Sequence, residues 1–202
     1  MSSRTNQETS NVEKYERKAG PEQRLLERFR ATLVSELTAL GPQRVLDAGC
    51  GEGIVAGWVT EALPGVELQG VDARDEAIGE FRRRNPGAGA KVGDLYDLPF
   101  TGGEFDLVMA VEVLEHFERP RAALRELVRV SSGSVLLTVP HEPFFRGGNL
   151  LRGRYVSRLG STPGHVNAWT RGGFLRMART EVPAPRWWSS FPWQGITASA
   201  AG

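Results

Sequence analysis

The stretch Val45-Leu46-Asp47-Ala48-Gly49-Cys50-Gly51-Glu52-Gly53 constrains this chain more than any other. A short apolar run closes on an acid and then breaks into glycines at alternate positions. An apolar segment able to open a helix follows from Ile54. Glycine tolerates positive φ and lets backbone N–H groups approach a ligand where a Cβ would collide. A strand, a glycine loop and a helix in that order cradle nucleotides in α/β proteins. The dinucleotide fingerprint G-x-G-x-x-G wants its third glycine where this chain has Ile54. The loop therefore reads as a nucleotide site of another kind than a nicotinamide site.

The rest of the chain reads as alternating strands and helices. Leu25, Leu26, Phe29, Leu33, Val34 and Leu37 recur at helical spacing, which predicts a helix from Pro21 to Leu40, stopped by Gly41-Pro42. Strands are expected at 44–48, 66–71, 90–92, 105–111 and 135–139, with helices at 54–63, 75–84 and 120–130. Phe105 to Val111 is an almost unbroken apolar run, as in a strand buried on both faces. Alternation of this kind predicts parallel βαβ units in a doubly wound sheet. The order breaks after Pro140. Residues 141–169 lack periodicity and read as a lid or acceptor insertion. A short helix is expected at 170–179. Residues 180–187 and 191–199 read as a hairpin turning at Trp188-Ser189-Ser190. The polar N-terminus, 1–20, reads as a flexible segment, and 21–202 as one domain.

In a doubly wound sheet the ligand lies beyond the carboxyl ends of the strands, at the topological switch point. Four such ends carry polar chemistry here. The first is the glycine loop. The second is Gly70-Val71-Asp72-Ala73, in which Asp72 falls where an acid accepts ribose hydroxyls, about 20 residues beyond the loop. The third is Gly93-Asp94-Leu95, whose acid can accept an adenine amino group while Leu95 packs on the ring. The fourth is Ala110-Val111-Glu112-Val113-Leu114-Glu115-His116. Any one of these aspartates taken alone is as well explained by a helix cap or a turn.

In combination, VLDAGCGEG, GVDAR, GDLYDLPF and FDLVMAVEVLEHF resemble the class I S-adenosylmethionine (SAM)-dependent methyltransferases, over about residues 43–175. The resemblance implies a Rossmann-like α/β fold: a doubly wound seven-stranded sheet with helices on both faces and the last strand antiparallel. It implies SAM as cofactor. Asp47, Gly49, Cys50 and Gly51 would surround the methionine end, and Asp72 and Ala73 the ribose. Asp94 and Leu95 would take the adenine, with Ala110 and Val111 touching the methionine part by backbone. Tyr15 and Lys18 stand where this family often closes a lid, or else form an exposed polar segment.

Glu112, Glu115 and His116 lie three and four residues apart, a spacing that places them on one side of a helix. In many metal-free members a similar Leu-Glu-His packs and hydrogen-bonds. Two carboxylates and an imidazole are equally ligands for Mg²⁺, Mn²⁺ or Zn²⁺. The small-RNA 2′-O-methyltransferases resemble this chain in that cluster, in Pro140-His141-Glu142, and in a histidine four residues before Trp169-Thr170-Arg171. That resemblance implies a metal set of Glu112, Glu115, His116 and His165. For proton removal from an acceptor hydroxyl, His141 and His165 are the candidate bases. Arg146, Arg152, Arg154 and Arg158, interleaved with Phe144, Phe145 and Tyr155, read as an amphipathic lid or as a reader of phosphate, carboxylate or lipid headgroups.

Charge and cysteine content narrow the classes. The net charge of +1 gives no global attraction to nucleic acid or anionic membrane. One cysteine excludes an internal disulfide framework and fits a reducing compartment. No run approaches the length of a membrane span, and the N-terminus has no secretory h-region, so the cytoplasm is the expected location. The expected function is methyl transfer from SAM, to oxygen, on a small or lipid-like acceptor. The competing expectations are a divalent-metal-dependent RNA 2′-O-methyltransferase and a SAM-binding module without turnover. The acceptor's identity and the oligomeric state do not follow from the residues.

Overall fold

The structure is a computed structural model, described here for residues 20–141 and 166–200. Tyr15, Lys18, His165 and most of the 141–169 insertion lie outside the described residues. Helix α1 spans Pro21–Leu40 and is followed by β1 (Arg44–Ala48), α2 (Ile54–Ala62), β2 (Glu67–Asp72) and α3 (Asp75–Arg84). Then come β3 (Gly89–Val92), β4 (Phe105–Val111), a 3-10 turn (Leu114–His116), α4 (Pro120–Val130) and β5 (Ser131–Pro140). Helix α5 (Arg171–Ala178) and strands β6 (Arg186–Ser190) and β7 (Trp193–Ser199) complete the described elements. Pro21 at the start of α1 and left-handed Gly41 at its end are the terminators the sequence signals; the Gly41 N–H donates to the Leu37 carbonyl.

The strands form one seven-stranded sheet in the order 3-2-1-4-5-7-6. Strands β1 to β5 pair in parallel, and β7 runs antiparallel to both β5 and β6. The chain steps outward from β1 to β2 and β3, then returns to the other side of β1 with β4. The switch point therefore lies between β1 and β4, directly above the glycine loop.

Side chains alternate across the sheet with period two, so β4 feeds two cores. Leu107, Met109 and Val111 join the layer under α1, α2 and α3, with Phe29, Leu33, Val59 and Phe81. Val108 and Ala110 join the layer under α4 and α5, with Leu124, Leu127 and Phe174. This two-faced burial explains the apolar run in β4. Trp188 and Trp193 are buried core residues, and Phe29 meets Trp193 at 4.8 Å between ring centroids.

Two local expectations are corrected. The terminal hairpin turns at Phe191-Pro192, through a cis peptide, and Trp188-Ser189-Ser190 belong to β6. Trp188 is held in the strand by burial and by its indole N–H, which donates to Thr197 Oγ1 on β7. Strand β5 begins at Ser131 rather than Val135, because it pairs with β4 from Ser131 and with β7 from Ser134. Among the described residues no helix is long and apolar enough to cross a membrane.

The close packing beneath the loop yields a stability test. A Cβ on Gly70 would stand 2.8 Å from Cys50 Sγ and 2.8 Å from the Phe81 ring. Gly70→Ala is expected to lower stability by about 1–3 kcal/mol, read as a lower urea midpoint at unchanged m-value.

Candidate active site

The glycine loop leaves β1 at Asp47 and reaches α2 at Ile54 through three left-handed residues, Gly49 (φ 78°), Gly51 (φ 52°) and Gly53 (φ 78°). Side chains at these φ values are disfavoured, which sets the alternate-glycine spacing. Packing sets it a second time. A Cβ on Gly49 would meet Val113 at 2.6 Å, and one on Gly53 would meet Asn85 Nδ2 at 2.3 Å. These two glycines are thus required by neighbouring protein atoms as well as by backbone conformation, a finer cause than approach of a ligand.

The loop is tied to β2 and α3. The N–H groups of Gly49 and Cys50 both donate to the Val71 carbonyl, at 2.7 and 3.0 Å. The Gly51 N–H donates to Asp72 Oδ2 at 3.0 Å. Asn85, at the end of α3, donates from Nδ2 to the Gly53 carbonyl at 2.9 Å. The sequence motifs mark Asp72 but not Asn85. Asp72 Oδ1 accepts the Arg74 N–H at 3.0 Å and its Nε–H at 3.2 Å, and the Arg74 guanidinium also stands 3.7 Å from Glu52. Helix α3 has no side-chain cap; Asp72 instead fixes the residue before it.

Asp47, the last residue but one of β1, has 2% of its surface exposed, and its Oδ2 is buried without a hydrogen-bond partner. Burial, and secondarily the negative charge of Asp72, push its pKa up to about 7. Burial likewise pushes the Cys50 thiol well above its usual range, so the sulfur is not a nucleophile. Ala73 is exposed beyond β2, and Asp94 is exposed beyond β3, where its Oδ1 accepts the Tyr96 N–H at 2.9 Å. The Leu95 side chain is buried in the core with Val71 and Leu98. Ala110 and Val111 are buried at the end of β4.

Beyond β4 the backbone departs from a helix. Glu112 has φ 59°, a left-handed value uncommon outside glycine, and only Leu114–His116 form a turn, of 3-10 type. The one-faced helix expected for Glu112, Glu115 and His116 is therefore not formed. The Glu112 N–H is held by Thr138, through both the carbonyl at 3.1 Å and Oγ1 at 3.2 Å. Its carboxylate accepts the Trp193 indole N–H at 2.8 Å. Glu115 is buried, and His116 is exposed. Among the described residues no three His, Cys, Asp or Glu side chains stand together as a metal site. His165, the fourth member of the metal set and one of the two candidate bases, lies outside the described residues.

Both described ends of the 141–169 insertion are fastened to this edge. The His141 N–H donates to the Pro192 carbonyl at 2.9 Å, and its ring meets Trp187 edge-on at 6.5 Å. Burial holds the His141 pKa below the usual imidazole value, so the neutral base form persists to lower pH. At the other end, the N–H groups of Val166 and Asn167 donate to the Glu115 carbonyl. Asn167 Nδ2 donates to the Phe117 carbonyl at 2.6 Å. Gln194, fully buried on β7, accepts from the Trp187 indole and donates to the Trp169 carbonyl at 2.9 Å. Sequence reading missed Thr138, Asn167 and Gln194, because their partners are backbone groups distant in the chain.

A seven-stranded sheet of this order, with a glycine loop at the switch point and acids at the ends of β1 and β2, defines the class I SAM-dependent methyltransferase architecture. Residues 46–137 match the methyltransferase domain family. Over 140 residues the chain is 29% identical to ajmaline N-methyltransferase of Rauvolfia serpentina, covering 63% of this chain and 47% of that one. Over 93 residues it is 34% identical to phthiotriol/phenolphthiotriol dimycocerosates methyltransferase of Mycobacterium tuberculosis, covering 45% and 34%. The chain spans less than half the length of each of these relatives. Among solved structures, magnesium protoporphyrin IX methyltransferase of Synechocystis with bound SAH superposes with a TM-score of 0.66 at 18% identity, covering 91% of this chain and 89% of that one. Residues 46–137 thus carry a methyltransferase domain, and the fold is the Rossmann-like one of solved methyltransferases.

The buried acid predicts a pH effect. An Asp47 pKa of about 7, against 3.8 ordinarily, means the folded chain holds this proton more tightly than the unfolded chain. The stabilisation is full below about pH 4 and is lost as pH rises through about 7. Thermal unfolding of the ligand-free protein should show wild type losing stability relative to Asp47→Asn over that interval.

Proposed function

We propose that this chain transfers the methyl group of SAM to an oxygen of a small or lipid-like acceptor, at the carboxyl edge of the sheet. The observation that carries the reading is the buried Asp47 carboxylate, with Oδ2 unpartnered, at the mouth of a loop built by left-handed glycines. An unpaired buried carboxylate is costly, and a cationic ligand would offset that cost. The SAM ammonium and sulfonium are such cations.

Asp47, with the backbone of Gly49, Cys50 and Gly51, holds the methionine end in this reading. Asp72, beside Ala73, accepts the ribose hydroxyls, and the Arg74 guanidinium yields acceptor positions on Asp72 as they arrive. Asp94 takes the adenine amino group, and buried Leu95 supports the wall beneath it. Ala110 and Val111 present backbone to the methionine part. When bound, SAM supplies an electrophilic methyl group on a sulfonium. His141 accepts the acceptor's hydroxyl proton on a ring nitrogen, as the O–CH₃ bond forms and the S–CH₃ bond breaks. Its lowered pKa keeps the imidazole neutral and able to act as a base. His165 is the second candidate for that proton.

A small-molecule acceptor accords with the names of the relatives, one an ajmaline and one a phthiotriol methyltransferase. The single, buried cysteine supports a reducing compartment, the cytoplasm, as the site of action.

Calorimetry with SAM tests the cofactor reading. Asp72→Ala should weaken binding by about 10- to 100-fold, the worth of hydrogen bonds to a charged group. Equal affinity in the variant removes the ribose assignment. Incubation with labelled SAM and a fractionated host extract should mark a small or lipid fraction, and the label should survive exhaustive chelation. Label on RNA that EDTA abolishes and Mg²⁺ or Mn²⁺ restores would instead establish the metal-dependent RNA reading. Tight SAM binding with no labelled product would leave a binding module.

A further inference from the structure

The chain beyond β4 holds a conformation that its own residue type disfavours. Glu112 has φ 59°, a region that glycine enters freely and a residue with a Cβ enters at a cost. Such a residue persists where its surroundings fix it. Three hydrogen bonds do so here. The Glu112 N–H meets the Thr138 carbonyl at 3.1 Å and Thr138 Oγ1 at 3.2 Å, and Glu112 Oε2 accepts the Trp193 indole N–H at 2.8 Å. Thr138 is buried in β5 and Trp193 in β7, so two strands of the sheet grip one residue of the turn.

The grip falls where the pairing of β4 ends. Strand β4 pairs with β5 as far as Val111 opposite Thr138, and the ladder stops after the Glu112 N–H, because Pro140 has no N–H with which to continue it. Successive residues of a strand turn their backbone polar groups to opposite neighbours, so the Val111 carbonyl points toward β1. There the next N–H groups, those of Gly49 and Cys50, both donate to Val71 on β2. Neither neighbouring strand brings a donor to this carbonyl. A backbone acceptor left at the switch point, on the strand beside buried Asp47, suits an ammonium group. Packing alone explains Val113, which closes on Gly49, but glycine at 112 would serve that packing with no polar lock.

We infer that Thr138 and Trp193, by locking Glu112 in its left-handed conformation, are positioning residues for the methyl donor: they aim the Val111 carbonyl at the ammonium of its methionine end. The inference rests on the donor reading proposed above. Neither side chain touches the ligand, and both act through the backbone of residues 111–112.

The test is calorimetric titration of the full chain with SAH and, separately, with 5′-methylthioadenosine, which keeps the adenosine and the sulfur but lacks the ammonium and the carboxylate. Thr138→Val removes the hydroxyl at nearly constant volume. Trp193→Phe removes the indole N–H and keeps a ring against Phe29. Each should weaken SAH binding by about three- to fivefold, and the two together by about tenfold, the worth of one or two hydrogen bonds. Affinity for 5′-methylthioadenosine should stay as it is, and Thr138→Ser, which keeps the hydroxyl, should rescue SAH binding. A merely structural role would lower both ligands alike. Equal loss for both ligands, or undiminished SAH binding in the double variant, would overturn the inference and leave the donor reading standing. Wild type that binds neither ligand would overturn the donor reading and this inference with it.

Discussion

The hydrogen bond from the Gly51 N–H to the Asp72 carboxylate joins the two strand ends that define the site. It turns the glycine loop back over β2, and the bonds from Gly49 and Cys50 to Val71 hold it there. Because the loop is pinned, α2 starts where it does, Phe81 and Cys50 pack against Gly70, and Asn85 reaches the Gly53 carbonyl. Val113, just beyond β4, then comes up against Gly49, so the post-β4 turn is positioned by the same loop. Removing the Asp72 carboxylate would release a buried N–H and disturb each of these contacts in turn.

The same geometry gathers negative charge. The charge of Asp72 acts on buried Asp47, and Arg74 bridges Asp72 to Glu52. An arrangement with a buried, partly protonated acid is not the most stable one available to the chain. Glu112, held at positive φ between Thr138 and Trp193, is a second departure from relaxed structure on the same edge. Strain and unsatisfied polarity concentrated at one end of a sheet are typical of a ligand site. The opposite end shows the contrast, since Asp106 there accepts the backbone N–H groups of Gln43 and Arg44 and ties β4 to β1.

Much of this was legible in the residues. The seven-stranded architecture, the bounds of α1, β1, α3, β4 and α4, and the placement of Asp47, Asp72 and Asp94 at strand ends follow from periodicity, proline and glycine stops and motif spacing. What escaped depends on contacts distant in sequence. Spacing of three and four residues made Glu112, Glu115 and His116 look like one helical face; the tertiary bonds from Thr138 and Trp193 pull Glu112 out of any helix. Trp188-Ser189-Ser190 looked like a turn, but Trp188 is buried and bonded to Thr197, so the chain turns later. Gln194 and Asn167 act on backbone carbonyls far along the chain, and no local pattern announces such bonds.

Donor recognition at the glycine loop is the central claim, and its distinctive physical mark is the proton on Asp47. SAM binding measured by calorimetry between about pH 5.5 and about 8, in buffers of different ionisation enthalpy, reads that proton directly. A cation placed against the buried carboxylate should release the proton held with a pKa of about 7. Affinity should therefore climb with pH toward neutrality and level off above it, with proton release on the acid side that Asp47→Asn abolishes. Absence of SAM binding at every pH, or tight binding with no proton release and no pH dependence, would contradict the account.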